Sequence, residues 1–133
     1  MNAPYQQSIN QYKFEFIRKV LTKICDYKSQ IDEALYISYR TDYPSVILSP
    51  TMKKKHPKEI TIILQHQFED LKVTFEGFFV TISFDSAYEK IYIPFNALTG
   101  FVDSNNGYNL QFEPKITSNI LILDHFRKPN KPL

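Results

Sequence analysis

The chain has 133 residues, a formal net charge of +2 and an aromatic content of 15%, made up of 11 Phe, 9 Tyr and no Trp. So many large apolar side chains exclude disorder over the whole length, and they favour a single, mostly β domain. The small net charge argues against a dedicated nucleic-acid-binding domain, and the single Cys excludes an internal disulfide.

The first twenty residues lack the features of a secretion signal. Charged residues such as Lys13, Glu15 and Arg18 interrupt the apolar positions, and no small-residue cleavage site follows an apolar run. No stretch is apolar enough over a sufficient length to span a bilayer. We therefore expect a soluble, cytoplasmic protein that makes no membrane contact.

The N-terminal segment has the spacing of a helix, which we predict over about residues 8–28. Ser8 and Gln11 fit a capping box, in which each side chain binds the backbone N–H of the other. The apolar band that follows is wide enough to cover a sheet on one side and a second copy of the chain on the other. We expect a homodimer that uses the stripe Tyr12, Phe16, Val20 and Ile24.

Alternation of apolar and polar residues then predicts short strands. Glu76-Gly77 supplies a tight hairpin turn between two of them, and Pro94 ends another because it cannot donate to a central ladder. This pattern predicts a mostly β (α+β) fold whose strands curl into a small barrel or sandwich. The predicted strands cover residues 34–40, 45–49, 60–65, 71–75, 78–84, 91–93 and 108–112, with a loop or single helical turn over 50–57.

The β pattern stops at Pro114, which predicts a domain over residues 1–114 and a flexible tail over 115–133. The tail contains one apolar run, residues 120–123, followed by the mixed-charge segment 124–128. This arrangement is typical of a short docking peptide.

Residues that could carry catalysis are scattered. The three histidines stand apart, Cys25 lies among the apolar residues of the predicted helix, and the three glycines are too isolated to cradle a phosphate. Glu69 and Asp70 are adjacent, so on a strand their carboxylates would point apart. We expect no catalytic site, no metal and no cofactor.

Two polar clusters remain as candidate binding features. Lys53-Lys54-Lys55-His56 is either a solvated loop or a phosphate contact, which leaves a small β-barrel that binds single-stranded nucleic acid as the alternative function. Gln65-His66-Gln67-Phe68 is either an exposed strand face or a peptide-recognition segment, in which amides beside apolar side chains pair with a bound backbone.

Two longer segments, residues 59–71 (EITIILQHQFEDL) and residues 90–103 (KIYIPFNALTGFVD), resemble stringent starvation protein B (SspB), particularly its alphaproteobacterial branch. The similarity extends from about Ala34 to Phe112, with the N-terminal helix and the tail in matching order. The resemblance implies a dimeric adaptor for the ClpXP protease. Its compact, two-sheet β-barrel-like body would bind the ssrA degradation tag of tagged proteins, and its tail would dock on the ClpX unfoldase.

The resemblance also implies roles for individual residues. Gln65 and Gln67 would line the tag groove, and Phe68, Ile93, Pro94, Phe95, Ala97 and Phe101 would form its walls. The segment from Pro114 to Asn119 is shorter than the corresponding linker of relatives and would span about 12–15 Å on average. The unfoldase-docking segment would consist of Ile120, Leu121, Ile122, Leu123, Asp124, His125, Phe126, Arg127 and Lys128.

Overall fold

A computed structural model of the chain describes residues 3–26, 34–65, 68–84, 86–104 and 106–114. They form two helices, seven strands and one 3-10 turn, Phe95–Ala97. The helices are α1 (Ala3–Asp26) and α2 (Pro50–Lys55). The strands are β1 (Leu35–Arg40), β2 (Glu59–Leu64), β3 (Glu69–Val73), β4 (Gly77–Phe84), β5 (Ala87–Pro94), β6 (Leu98–Asp103) and β7 (Tyr108–Gln111).

The strands form two antiparallel sheets. The four-stranded sheet has the order β2-β1-β6-β7, and the three-stranded sheet has the order β3-β4-β5. An N-terminal helix followed by a two-sheet body is therefore confirmed. The sheets do not close into a true barrel.

Apolar side chains fill the space between the sheets, and they come from every second position of a strand. In β2, Ile60, Ile62 and Leu64 are buried while the residues between them are exposed, as the alternation predicts. The predicted hairpin through Glu76-Gly77 is also confirmed, because β3 pairs with β4 in antiparallel register.

Helix α1 lies between an edge strand of each sheet. Its buried residues Phe14, Ile17, Leu21 and Ile24 recur at helical spacing and face the core. On one side of this stripe, Lys13 Nζ donates to the carbonyl of Gln111 in β7 at 3.0 Å. On the other side, Cys25 Sγ donates to the carbonyl of Leu71 in β3 at 3.1 Å. The helix thus connects the β7 edge of one sheet to the β3 edge of the other.

The segment between β1 and β2 differs from the prediction. The predicted strand over 45–49 is wrong, because only Ile47 forms a bridge, with Tyr92. Ser45 has a φ of 73°, a left-handed conformation that interrupts an extended chain. Residues 50–57 were expected to form a loop or a single helical turn, and they contain the short helix α2. The Ser49 side chain caps this helix by accepting from the N–H of Met52.

Several boundaries and one strand also differ from the prediction. Strand β3 covers Glu69–Val73 and not residues 71–75. Helix α1 begins at Ala3 and not at Ser8, because Pro4 fits the first turn of a helix, where no intrahelical N–H donor is required. Strand β5 begins at Ala87, earlier than the predicted residue 91. Strand β6 was not predicted at all, yet it lies inside the four-stranded sheet between β1 and β7.

Candidate peptide-binding site

Residues 65–68, the glutamine segment, link β2 of one sheet to β3 of the other. Gln65 directly follows β2, and Phe68 directly precedes β3, so the chain passes here from the four-stranded to the three-stranded sheet. Gln65 is half-buried and Phe68 is buried at 2% exposure. Gln67 lies outside the described residues, so the relation between the two amides stays a prediction.

The outer edge of β2 leads directly to Gln65. Within the described ranges, β2 pairs with β1 and with no other strand. Strand edges of this kind carry backbone donors and acceptors that can pair with an extended peptide. The edge is therefore a place where a peptide can add as a further strand.

An apolar strip lies beside this edge on the outer face of the four-stranded sheet. Ile63 is 54% exposed and lies opposite Tyr36, which is 41% exposed. Tyr36 in turn lies opposite Val102 of β6, and directly paired antiparallel residues share a face. The sequence already places Ile63 on the face of β2 that is otherwise polar. The residues predicted for the tag groove did not include it.

The outer edge of β3 is occupied by α1. The helix contributes donors to the carbonyls of Leu71 and Phe75, through Cys25 Sγ and Arg18 Nε. Strand β3 is also irregular, since its register with β4 shifts between Glu69 and Lys72 and Asp70 has a φ of 54°. Of the two edges adjoining the glutamine segment, β2 is the one without a further hydrogen-bonded strand or helix among the described residues.

The predicted groove walls lie inside the protein. The Phe95 ring is 5.7 Å from the Phe14 ring and 6.0 Å from the Phe78 ring. Phe101 belongs to β6 of the four-stranded sheet, where it pairs with Ile37 of β1. These side chains therefore set the shape of the layer beneath the surface. The exposed fractions are 0% for Ile93, Ala97 and Phe101 and 2% for Phe95 and Phe68, and Pro94 is also buried.

The predicted dimer stripe does not form one surface. Ile24 is 8% exposed and faces the core, whereas Tyr12 is 75% exposed. Phe16 and Val20 are half-buried, and the Phe16 ring meets the Tyr108 ring edge-on at 4.6 Å. The exposed part of this side is extended by Ile9, at 48% exposure. Dimerisation through α1 stays a prediction.

The predicted unfoldase-docking segment, Ile120 to Lys128, lies outside the described residues, as do His66 and the whole segment 115–133. Among the residues that are described, no three His, Cys, Asp or Glu side chains come together to hold a metal ion. No helix in this part of the chain is long and apolar enough to cross a membrane.

Ion pairing is sparse in the part of the chain that the structure describes. Arg40 forms the one ion pair found among the described residues, with Asp42 at 2.7 Å, and that hydrogen bond raises the pKa of Arg40. The lysines of the basic cluster, Lys53 to Lys55, lie exposed on α2.

The sequence matches the family model for stringent starvation protein B over residues 11–122. The chain belongs to the SspB family. Comparison with curated proteins finds no match. SspB membership implies a protease adaptor, and it does not favour the nucleic-acid alternative. The matched SspB region contains α1 from Gln11 onward, both sheets and the glutamine segment.

Proposed function

We propose that this SspB-family chain is an adaptor that binds ssrA-type degradation tags and delivers tagged proteins to the ClpXP protease by tethering them to ClpX. One structural observation carries the tag-binding part. The outer edge of β2 has no further strand among the described residues, lies beside the apolar strip of Ile63 and Tyr36, and is followed directly by Gln65. Membership of the SspB family supports the same function.

The tag would bind as an extended strand. Backbone hydrogen bonds to β2 contribute about 0.5–1.5 kcal/mol each, so several are needed and side chains must supply the selectivity. Gln65 and Gln67 would pair with polar groups of the tag, and Ile63 and Tyr36 would contact its small apolar side chains. The six predicted wall residues are buried, and they would keep the core beneath the binding surface rigid.

Delivery needs a second contact and no catalytic group. Residues 120–128 would bind ClpX, and the linkage between the two binding segments would make the second encounter intramolecular. Effective concentrations in the millimolar range are reached with short flexible linkers. A cytoplasmic homodimer formed through α1 would present two such tails to one unfoldase.

Tag binding is tested by fluorescence anisotropy with a labelled ssrA-type peptide and a scrambled peptide of the same composition. We expect the tag peptide to bind with a dissociation constant in the micromolar range, while Gln65→Ala and Ile63→Ser each weaken binding about tenfold. Tyr88→Ala is the matched control, because Tyr88 is 61% exposed on the three-stranded sheet. Equal binding of the scrambled peptide, or equal loss with Tyr88→Ala, would contradict the proposed site.

A further inference from the structure

The guanidinium of Arg18 is held where α1 meets the turn between β3 and β4. Its Nε donates to the carbonyl of Phe75 at 3.0 Å. Its Cζ lies 4.4 Å from the centre of the Phe75 ring and 5.3 Å from that of Phe95. Aromatic rings attract a guanidinium and restrict its orientation. Arg18 is therefore ordered by one hydrogen bond and two rings.

The turn that carries Phe75 is held by several hydrogen bonds. The backbone N–H of Thr74 donates to the carbonyl of Gly77 at 2.8 Å, and that of Gly77 donates to the Thr74 hydroxyl at 3.1 Å. The carbonyl of Glu76 accepts from the N–H of Phe95 at 2.9 Å. Phe75 is nevertheless 74% exposed. The hydrogen-bonded turn thus presents an aromatic ring and a guanidinium side by side. Because both groups are already ordered, binding to them costs little conformational entropy.

The outer nitrogens of Arg18 are unoccupied as far as the described residues extend. Within the described ranges Arg18 forms no ion pair, and Nε is its only nitrogen with a hydrogen-bond partner. Arg40 provides the contrast, because its Nε and Nη2 both donate to the Asp42 carboxylate, at 3.1 and 2.7 Å. Arg18 is also partly buried, where a charge-assisted bond is less screened by water than on an open surface.

The chemistry of this position favours a carboxylate. The two Nη atoms of a guanidinium form a planar fork that matches two carboxylate oxygens. Glu15 precedes Arg18 by three residues on α1, and Glu76 follows Phe75 in the turn. These two negative charges disfavour a doubly charged phosphate more than a singly charged carboxylate. The exposed Phe75 ring adds an apolar contact beside the fork.

We propose that Arg18 and Phe75 form a carboxylate-binding subsite for an Asp or Glu side chain of a bound peptide, next to an apolar residue of that peptide. The subsite lies at the opposite end of β3 from Phe68 and requires neither an ssrA tag nor Gln65. It therefore goes beyond the proposed tag-binding function.

The test is an NMR titration of the ¹⁵N-labelled full chain with the blocked peptide acetyl-Ala-Leu-Asp-Ala-amide, up to about 10 mM at constant ionic strength. The Arg18 Nε–H and the backbone amides of Phe75 and Gly77 report binding. The Nε–H of Arg40 is the internal control, since that guanidinium already holds Asp42. The same peptide with Asn in place of Asp tests the charge.

We expect a saturable shift at Arg18, Phe75 and Gly77 and none at Arg40. The Asn peptide, and the Arg18→Lys variant read at the two backbone amides, should each bind at least about tenfold more weakly, because both lose the charged two-pronged pairing. No saturable shift, an equal shift at Arg40, or equal binding of the Asp and Asn peptides would overturn the proposal. The comparison of peptides uses the unaltered chain and does not depend on whether the variant folds.

Discussion

The buried hydroxyl of Tyr39 lies in the electrostatic field of Glu89, whose Oε1 atom is also buried. Tyr39 is fully buried, and burial followed by the negative charge of Glu89 raises the pKa of Tyr39 well above its ordinary value near 10. Neither the Tyr39 hydroxyl nor Glu89 Oε1 has a hydrogen-bond partner among the described residues. This pair predicts how the fold responds to alkaline pH.

The fold should lose stability as the pH rises above about 10. In the unfolded chain Tyr39 ionises near that pH, whereas in the folded chain it keeps its proton because its folded pKa is raised. The stabilisation is therefore fully present below pH 10 and is lost progressively above it. Urea unfolding of the wild type and of Tyr39→Phe, compared between about pH 8 and pH 11, measures this loss.

Tyr39→Phe should show the smaller alkaline loss. At about pH 8 its free energy of unfolding should be equal to or higher than that of the wild type, since a buried hydroxyl without a partner is removed. Tyr88→Phe, at a 61% exposed position, serves as the control and should keep the wild-type pH profile. Identical pH profiles for Tyr39→Phe and the wild type would contradict the coupling.

Gly77→Ala should destabilise the fold by more than about 2 kcal/mol. A Cβ on Gly77 would lie 2.5 Å from the backbone oxygen of Ile93 and 2.8 Å from Cα of Pro94, so the hairpin of β4 and β5 would have to separate. Gly100→Ala is the matched control, because its nearest atom would be the Gln111 side chain at 3.6 Å. The free energies of unfolding of the two variants should differ clearly, and similar values would rule out this steric reason.

Phe14→Ala should cost about 3–5 kcal/mol of unfolding free energy. The Phe14 ring packs on Phe95 and Phe112, with centroid distances of 5.7 and 5.3 Å, so its removal leaves a cavity where α1 joins the sheets. Chemical denaturation measures the effect. Glu15→Ala changes the exposed neighbour and should stay within about 0.5 kcal/mol of the wild type.

Ser49→Ala should destabilise the fold by about 1–2 kcal/mol. The Ser49 hydroxyl accepts from the N–H of Met52 at 3.2 Å and donates to Glu89 Oε2 at 2.9 Å, so the substitution removes a helix cap and a carboxylate partner together. Hydrogen exchange should increase at the first amides of α2. If Thr51→Ala, an exposed change in the same helix, has the same effect, the role assigned to Ser49 is wrong.

Local patterns predicted most of the fold. The alternation from Ile60 to Leu64 gave the buried face of β2, and Glu76-Gly77 gave the hairpin. Strand β6 escaped prediction because Gly100 breaks its alternation and a register shift between Ser38 and Tyr39 interrupts its pairing. The capping box at Ser8 was a local signal that the longer helix overrode.

The candidate sites were harder to predict because they depend on contacts between distant residues. Alternation places Ile63 on the polar face of β2, but only the register shows that it lies beside Tyr36. The contact of Arg18 with Phe75 and Phe95 joins α1 to two separate parts of the chain, which no spacing rule can bring together. The predicted groove walls Ile93 and Phe101 are buried, and only the three-dimensional structure distinguishes them from exposed residues nearby.

The adaptor function is tested most directly by the degradation of an ssrA-tagged reporter by ClpXP at a reporter concentration below saturation. The full chain should accelerate degradation, because it would hold the tag and ClpX together. The chain without residues 120–133 should keep its affinity for the tag peptide and lose the acceleration. If the full chain leaves the rate unchanged while binding the tag, or if the shortened chain accelerates degradation equally, the account of delivery is wrong.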